Sequence, residues 1–225
     1  MEGNPFTDVK LQPVAIRDIT YEALKKAILT HKLPPGQRLV EEQLTRQLNI
    51  SRTPLREALQ ALEREGFVVR LPAGGVQVAP LSTTEIQDLY TIRSELEGLA
   101  ALAAVALGNT ACLAEAEVAN EQMLSQWEKG RFDDAFESGL AFHKALYAAS
   151  GNVKLVEILA HLSEQIARYR YFSVVYRMHE AHAEHAAILQ AIRMGADELA
   201  SSLAKMHVQT ERTLLLSKLQ TDGLK

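Results

Sequence analysis

The sequence predicts a mainly α protein, with a winged helix-turn-helix over residues 1–80 and an all-α helical bundle over residues 81–225. Three observations carry that prediction. Apolar residues recur at helical spacing through most of the chain. Two short β-branched segments, residues 68–71 and 76–78, flank Pro72-Ala73-Gly74-Gly75 near the end of the front part. Charge divides unevenly: residues 12–80 hold ten Lys or Arg against seven Asp or Glu, whereas residues 81–225 hold thirteen against nineteen.

At the front, Ile16, Ile19, Ala23, Leu24, Ala27 and Ile28 define a first helix. Leu33-Pro34-Pro35-Gly36 stops it, because proline lacks a donor N–H and glycine permits the turn. Leu44 and Leu48 anchor a short second helix from about Val40, and Asn49, which tolerates positive φ, is placed to cap it. Ser51 is placed to cap a third helix. Pro54 is harmless in its first turn, and Leu55, Ala58, Leu59 and Leu62 form its apolar face up to Gly66. The Pro and Gly residues that follow favour a hairpin, which is the wing. Beyond Pro80, Ser82-Thr83-Thr84-Glu85 reads as a capping box opening a long helix that carries Leu89, Ile92, Leu96, Leu99 and Leu102. Breaks at Gly108-Asn109, Lys129-Gly130, Ser150-Gly151-Asn152 and Gly195 divide the remainder into about six helices.

With 47% apolar residues the chain can bury substantial cores. No stretch reaches the roughly 18 consecutive apolar residues of a membrane helix, so no membrane partner is expected. A single cysteine, Cys112, excludes an internal disulfide framework and a thiolate metal cluster, and fits a cytoplasmic location.

Arg52 and Arg56 stand one turn apart on the third helix, opposite Leu55, Leu59 and Leu62, so that packing and ligand contact use different faces. In a winged helix this element enters the major groove, and Ser51 and Thr53 would add neutral donors for phosphate oxygens. The plain alternative is a solvated helix end with Arg56 paired to Gln60 or Glu63. The stretch "LPPGQRLVEEQLTRQLNISRTPLREALQALEREGFV" closely resembles the DNA-binding domain of the GntR family of bacterial transcription regulators, a likeness covering nearly all of residues 12–80. The resemblance implies contacts to double-stranded operator DNA from Arg52, Thr53 and Arg56, with Gly74 and Gly75 at the wing tip and Arg38 and Arg46 beside phosphates. Where the fatty-acid-responsive member has an arginine in the second helix, this chain has Glu42, which implies a different operator.

His143, His185 and His207 fall on three separate predicted helices among apolar neighbours. Three neutral imidazoles converging in a bundle core can hold a divalent cation; the alternative is three separately hydrogen-bonded histidines. His161, His179 and His182 read as ordinary. "YTIRSELEGLAALAA", "FHKALYAASGN" and "EHAAILQAI", with His207 downstream, resemble the all-helical FCD effector domain of the FadR branch. That likeness implies a divalent metal such as zinc held by one aspartate and three histidines, at positions matching Gly139, His143, His185 and His207. Gly139 offers no side-chain ligand, so three imidazoles and open coordination positions are expected.

Arg93 lies inside an otherwise apolar helix, one turn from Glu97. It either pairs with Glu97 or, as the resemblance implies, clamps the carboxylate of a small effector, with Asn152 and Tyr90 lining the same cavity. The run "RYRYFSVVYR" at residues 168–177 reads as amphipathic surface and interface. A metal-dependent hydrolase with Glu97 or Glu184 as base is the alternative function. No phosphate loop, nucleophile elbow or His-Glu-x-x-His helix supports it, so no catalytic residues are expected. The expectation is a metabolite-responsive regulator that binds operator DNA as a homodimer and answers to a small organic acid.

Overall fold

The computed structural model describes residues 16–221, apart from the side chains of residues 172–175. The first helix, α1, spans Ile16–Leu29 and ends ahead of the prolines: His31 takes φ 54°, and Leu33 N–H donates to Ala27 O at 2.9 Å. A two-residue strand absent from the sequence reading, β1 (Arg38–Leu39), precedes α2 (Glu41–Leu48). Asn49 closes α2 in the left-handed region at φ 52°, as its small polar side chain allows. The next helix, α3 (Arg52–Arg64), begins after an extended Ser51 whose hydroxyl makes no capping bond. Ser51 therefore occupies the cap position without capping through its side chain.

Strands β2 (Val68–Arg70) and β3 (Val76–Val78) form the wing, and β1 adds to it antiparallel in the order β1-β3-β2. Leu24 and Ile28 of α1, Leu55 and Leu62 of α3, Phe67 and Val76 share the front core, which accounts for the apolar spacing that defined these elements.

Six helices follow, in line with the breaks read from sequence: α4 (Thr83–Leu107), α5 (Thr110–Glu128), α6 (Phe132–Ala149), α7 (Val153–Tyr176), α8 (Met178–Arg193) and α9 (Asp197–Thr221). The bundle core is rich in alanine, with Ala101, Ala104, Ala116, Ala200 and Ala204 packed around Phe142, Leu146 and Ile188. Small side chains bring helix axes close, and Gly98 does so most sharply. A Cβ there would lie 2.5 Å from Lys205 Cε, so α4 and α9 run antiparallel in direct contact. No helix among the described residues is long and apolar enough to cross a membrane.

Front and rear meet along α7. Arg168 donates through Nη1 to Gly66 O at 3.3 Å and through Nη2 to Glu85 Oε2 at 2.6 Å, while its own carbonyl accepts from His31 Nε2–H at 2.8 Å. Lys32 pairs with Asp133 at 2.5 Å beside them. Ser82 Oγ accepts from Glu85 N–H at 3.2 Å, the expected half of the capping box. The other half is missing because the Glu85 carboxylate is taken by Arg168 and the Tyr169 hydroxyl.

Candidate functional site

On the front domain, Arg52, Thr53 and Arg56 are exposed along the first turns of α3. Arg52 makes no ion pair among the described residues. Arg56 Nε donates to Glu41 Oε2 at 2.9 Å rather than to Gln60 or Glu63, a solvated pair that a phosphate can displace at small cost. Arg46 pairs with Glu42 on the exposed side of α2. Arg38 lies against the wing tip and donates to Gly74 O at 3.3 Å. Gly74 and Gly75 have φ of +88° and +96°, values that glycine adopts without strain, and a Cβ at Gly75 would lie 3.3 Å from Arg38 Nη2. The start of α3 and the wing thus carry cations and exposed backbone toward solvent.

In the bundle, α6, α8 and α9 bring His143, His185 and His207 together: one ring nitrogen from each lies within 4.8 Å of the others. All three side chains are buried. Outer hydrogen bonds orient two of the three rings. Asn120 Nδ2 donates to His182 O at 3.1 Å, which turns its Oδ1 toward His185 to accept Nδ1–H at 3.0 Å. His207 Nδ1–H donates to the Glu184 carboxylate at 2.7 Å. The Nε2 of His185 is then the free acceptor, and it faces the Nε2 of His207 at 3.3 Å.

Two ring nitrogens that close need a proton or a cation between them. Protonation is opposed by burial: burial first, then the charge of Arg170, push the His143 imidazole down to about 3. Burial, with His207 and His143 nearby, holds His185 well below its ordinary range. The trio therefore fits a divalent cation, which needs neutral imidazoles oriented by outer acceptors. Gly139 is also here, and a Cβ on it would meet Met123 Sδ at 3.2 Å, so a thioether fills the space beside the residue that matches the aspartate.

A cavity of about 40 Å3 opens beside the histidines, room for a cation with two or three water-sized groups. Arg170, Arg177 and Glu211 line it; Arg93, Asn152 and Tyr90 do not. Arg93 is 1% exposed and donates to Glu97 at 2.6 Å and to Glu211 at 2.5 Å, so the pairing with Glu97 is present and a second carboxylate completes it. Asn152 is an exposed residue that caps α7, its Oδ1 accepting from Leu155 N–H at 3.1 Å. Tyr90 is fully buried below Arg93, whose guanidinium carbon lies 5.2 Å from its ring centre.

The cations on the cavity are instead two of the three arginines in the run assigned to the surface. Arg170 Nη1 and Arg177 Nη1 are buried without hydrogen-bond partners among the described residues, although Arg170 Nε lies 3.8 Å from Glu211 and Arg177 pairs with Glu184. Glu211 is drawn down to about 2, burial being outweighed by Arg93 and Arg170, so it stays ionised beside them.

Comparison with known proteins matches two stretches of the chain. Residues 17–78 match the bacterial regulatory proteins of the gntR family and residues 88–210 match the FCD domain. The chain belongs to the GntR family of regulators, with an FCD domain. An HTH-type transcriptional regulator from the TAR-I ttuE-ttuC' intergenic region of Agrobacterium vitis is 33% identical over 134 residues, covering 58% of this chain and 78% of that protein. The HTH-type transcriptional repressor GlaR of Escherichia coli is 27% identical, covering 84% of this chain and 91% of its own. In the solved structure of E. coli McbR/YncC the same fold recurs at a TM-score of 0.74, with 24% identity over 92% of this chain and 99% of that one. As a GntR-family member with a winged head, this chain is a DNA-binding transcription regulator.

Proposed function

We propose that this regulator senses a small carboxylate in the cavity beside His143, His185 and His207, with the three imidazoles holding a divalent cation such as zinc. One observation carries the reading: two buried guanidinium groups, Arg170 and Arg177, each with an Nη1 that has no hydrogen-bond partner among the described residues, line a cavity where two imidazole nitrogens face each other. Unsatisfied buried donors are costly, and an anion relieves both at once. A cation bound there supplies positive charge and open coordination positions. The protein's own part is to orient the imidazoles through Asn120 and Glu184 and to present the arginines. Arg170 and Arg177 take the role that the sequence reading gave to Arg93 and Asn152.

The same α7 that carries Arg170 holds the DNA-binding head through Arg168, so an anion that draws on Arg170 biases head placement. Catalysis is disfavoured, because Glu97 and Glu184 are both held below the usual carboxylate range. Burial is outweighed at Glu97 by Arg93 and His143, and at Glu184 by hydrogen bonds from His207 and Arg177; neither is poised as a base. Operator DNA would be read by Arg52, Thr53 and Arg56 of a homodimer in the cytoplasm, with Arg38, Arg46, Ser51, Gly74 and Gly75 against the backbone. A second copy is suited to the exposed apolar stripe of Ile92, Leu99 and Leu102 on α4 and Leu199 and Met206 on α9.

The test is a thermal-shift screen of organic acids, followed by operator titration with each acid that binds. An acid that binds should weaken operator affinity roughly 5- to 150-fold in the wild type. It should have no such effect on Arg170→Met. An Arg170→Met protein that answers the same acid at the same concentration overturns the assignment.

A further inference from the structure

A second and larger space lies where the head meets the bundle. A cleft of about 330 Å3 is walled by Leu29 of α1, Leu140 of α6 and Val156, Ala160 and Ala167 of α7, within the lower range of small-molecule sites. Its walls are mostly apolar and its charged groups are unevenly matched. Lys25 is neutralised by Glu65 at 3.0 Å. Lys144 makes no ion pair among the described residues, and Arg170, whose side chain is 8% exposed, borders the cleft as well. Against these two cations the cleft sets one carboxylate, Glu164.

Apolar walls with an excess of positive charge select for a ligand of complementary make-up. We propose that this cleft is a second ligand site, distinct from the histidine cavity, for a small amphipathic anion: an apolar body bearing one carboxylate or sulfonate. The apolar body lies against Leu29, Val156 and Ala160, and the anionic group meets Lys144 and Arg170. Since α1 supplies one wall and α7 another, the occupant touches both domains and favours the head placement described above. Arg170 borders both cavities, so the two sites share one guanidinium. This site needs neither a metal nor an effector at the histidines, so its failure would leave that reading intact.

The full-length chain can be titrated with anilinonaphthalene sulfonate, a probe with fused rings and one sulfonate whose fluorescence rises in apolar surroundings. Saturable binding of one probe per chain is expected, unchanged by chelator and in His207→Ala. Lys144→Glu should weaken it about tenfold or more, as like charges repel, while Glu164→Gln should tighten it. Ala160→Phe, a substitution at an exposed position that fills the cleft, should abolish binding without lowering the melting temperature. No saturable binding, wild-type affinity in a folded Ala160→Phe chain, or loss of binding in His207→Ala would each overturn the proposal.

Discussion

Replacing Arg93 with methionine keeps most of the side-chain volume and removes the guanidinium that holds two carboxylates. In the native chain Arg93, Glu97 and Glu211 have side chains 1%, 0% and 3% exposed, with contacts of 2.6 and 2.5 Å. Without the arginine, Glu97 keeps the Tyr147 hydroxyl at 2.6 Å and Glu211 keeps Arg170 at 3.8 Å. Neither replaces a full charge at contact distance. Removing one partner of a buried pair costs about 3–5 kcal/mol, and the contacts that remain keep the total near that range although two carboxylates lose their cation. Against a typical stability of about 5–15 kcal/mol this is a large fraction. Urea unfolding followed by far-UV circular dichroism at neutral pH measures it: with a slope of about 2 kcal/mol per molar, the midpoint falls by roughly 2 M. Adding Glu97→Gln and Glu211→Gln to Arg93→Met should recover part of the loss, because the buried negative charges go with the positive one. An Arg93→Met midpoint within about 0.5 M of wild type would refute the claim that this residue is structural.

Four further outcomes are expected. Arg52→Ala and Arg56→Ala should each cost about 1–3 kcal/mol of specific operator binding, measured by fluorescence anisotropy. Arg52 should cost more, since Arg56 gives up Glu41 to bind, and Glu41→Gln should tighten binding. A divalent cation at a hundred times its dissociation constant should stabilise the fold by about 2.7 kcal/mol, seen as a rise in melting temperature that His207→Ala removes. An equal rise in His207→Ala would count against the site. Leu99→Glu with Met206→Glu should yield monomers in analytical ultracentrifugation; an intact dimer would move the interface elsewhere. His31 is held below its ordinary value of 6.5, burial outweighing its bond to Arg168 O, so the unfolded chain takes up the proton first and stability is lost as pH falls below that value. His31→Gln should flatten this part of the pH–stability curve, and an unchanged curve would show that the group does not contribute.

Much of the fold was legible because its signals are local. Asn49, Ser82 and Gly66 mark chain reversals or helix starts through their own backbone preferences, and the apolar faces of α1 and α3 follow helical spacing. The two residues of β1 carry no periodicity and could not be read. Ser51-Arg52 was legible as a helix start, although the hydroxyl bond was not made. At the candidate site, the three histidines lie on separate helices, and their convergence depends on how α6, α8 and α9 pack, which no local pattern encodes. Arg170 and Arg177 were missed because a buried arginine and a solvated one look alike until the partner is known, and Glu211 is distant in sequence. Asn152 could have been read correctly: an asparagine after Ser-Gly, three residues before an apolar position, is a helix cap.

The unfinished cap at Ser82 has a bearing on how readily the head can move. Glu85 is one carboxylate with two possible employments: it can complete the first turn of α4, or it can hold Arg168 and Tyr169 of α7 within the bundle, as it does here. Should the head swing away and Arg168 follow it, Glu85 is released next to the Ser82 backbone N–H that a capping box would satisfy. The bond lost between α7 and α4 is then partly replaced by one gained within α4. Such an exchange narrows the energy gap between two head positions, and a narrow gap is what allows a small ligand, with only a few kcal/mol of binding preference, to choose between them.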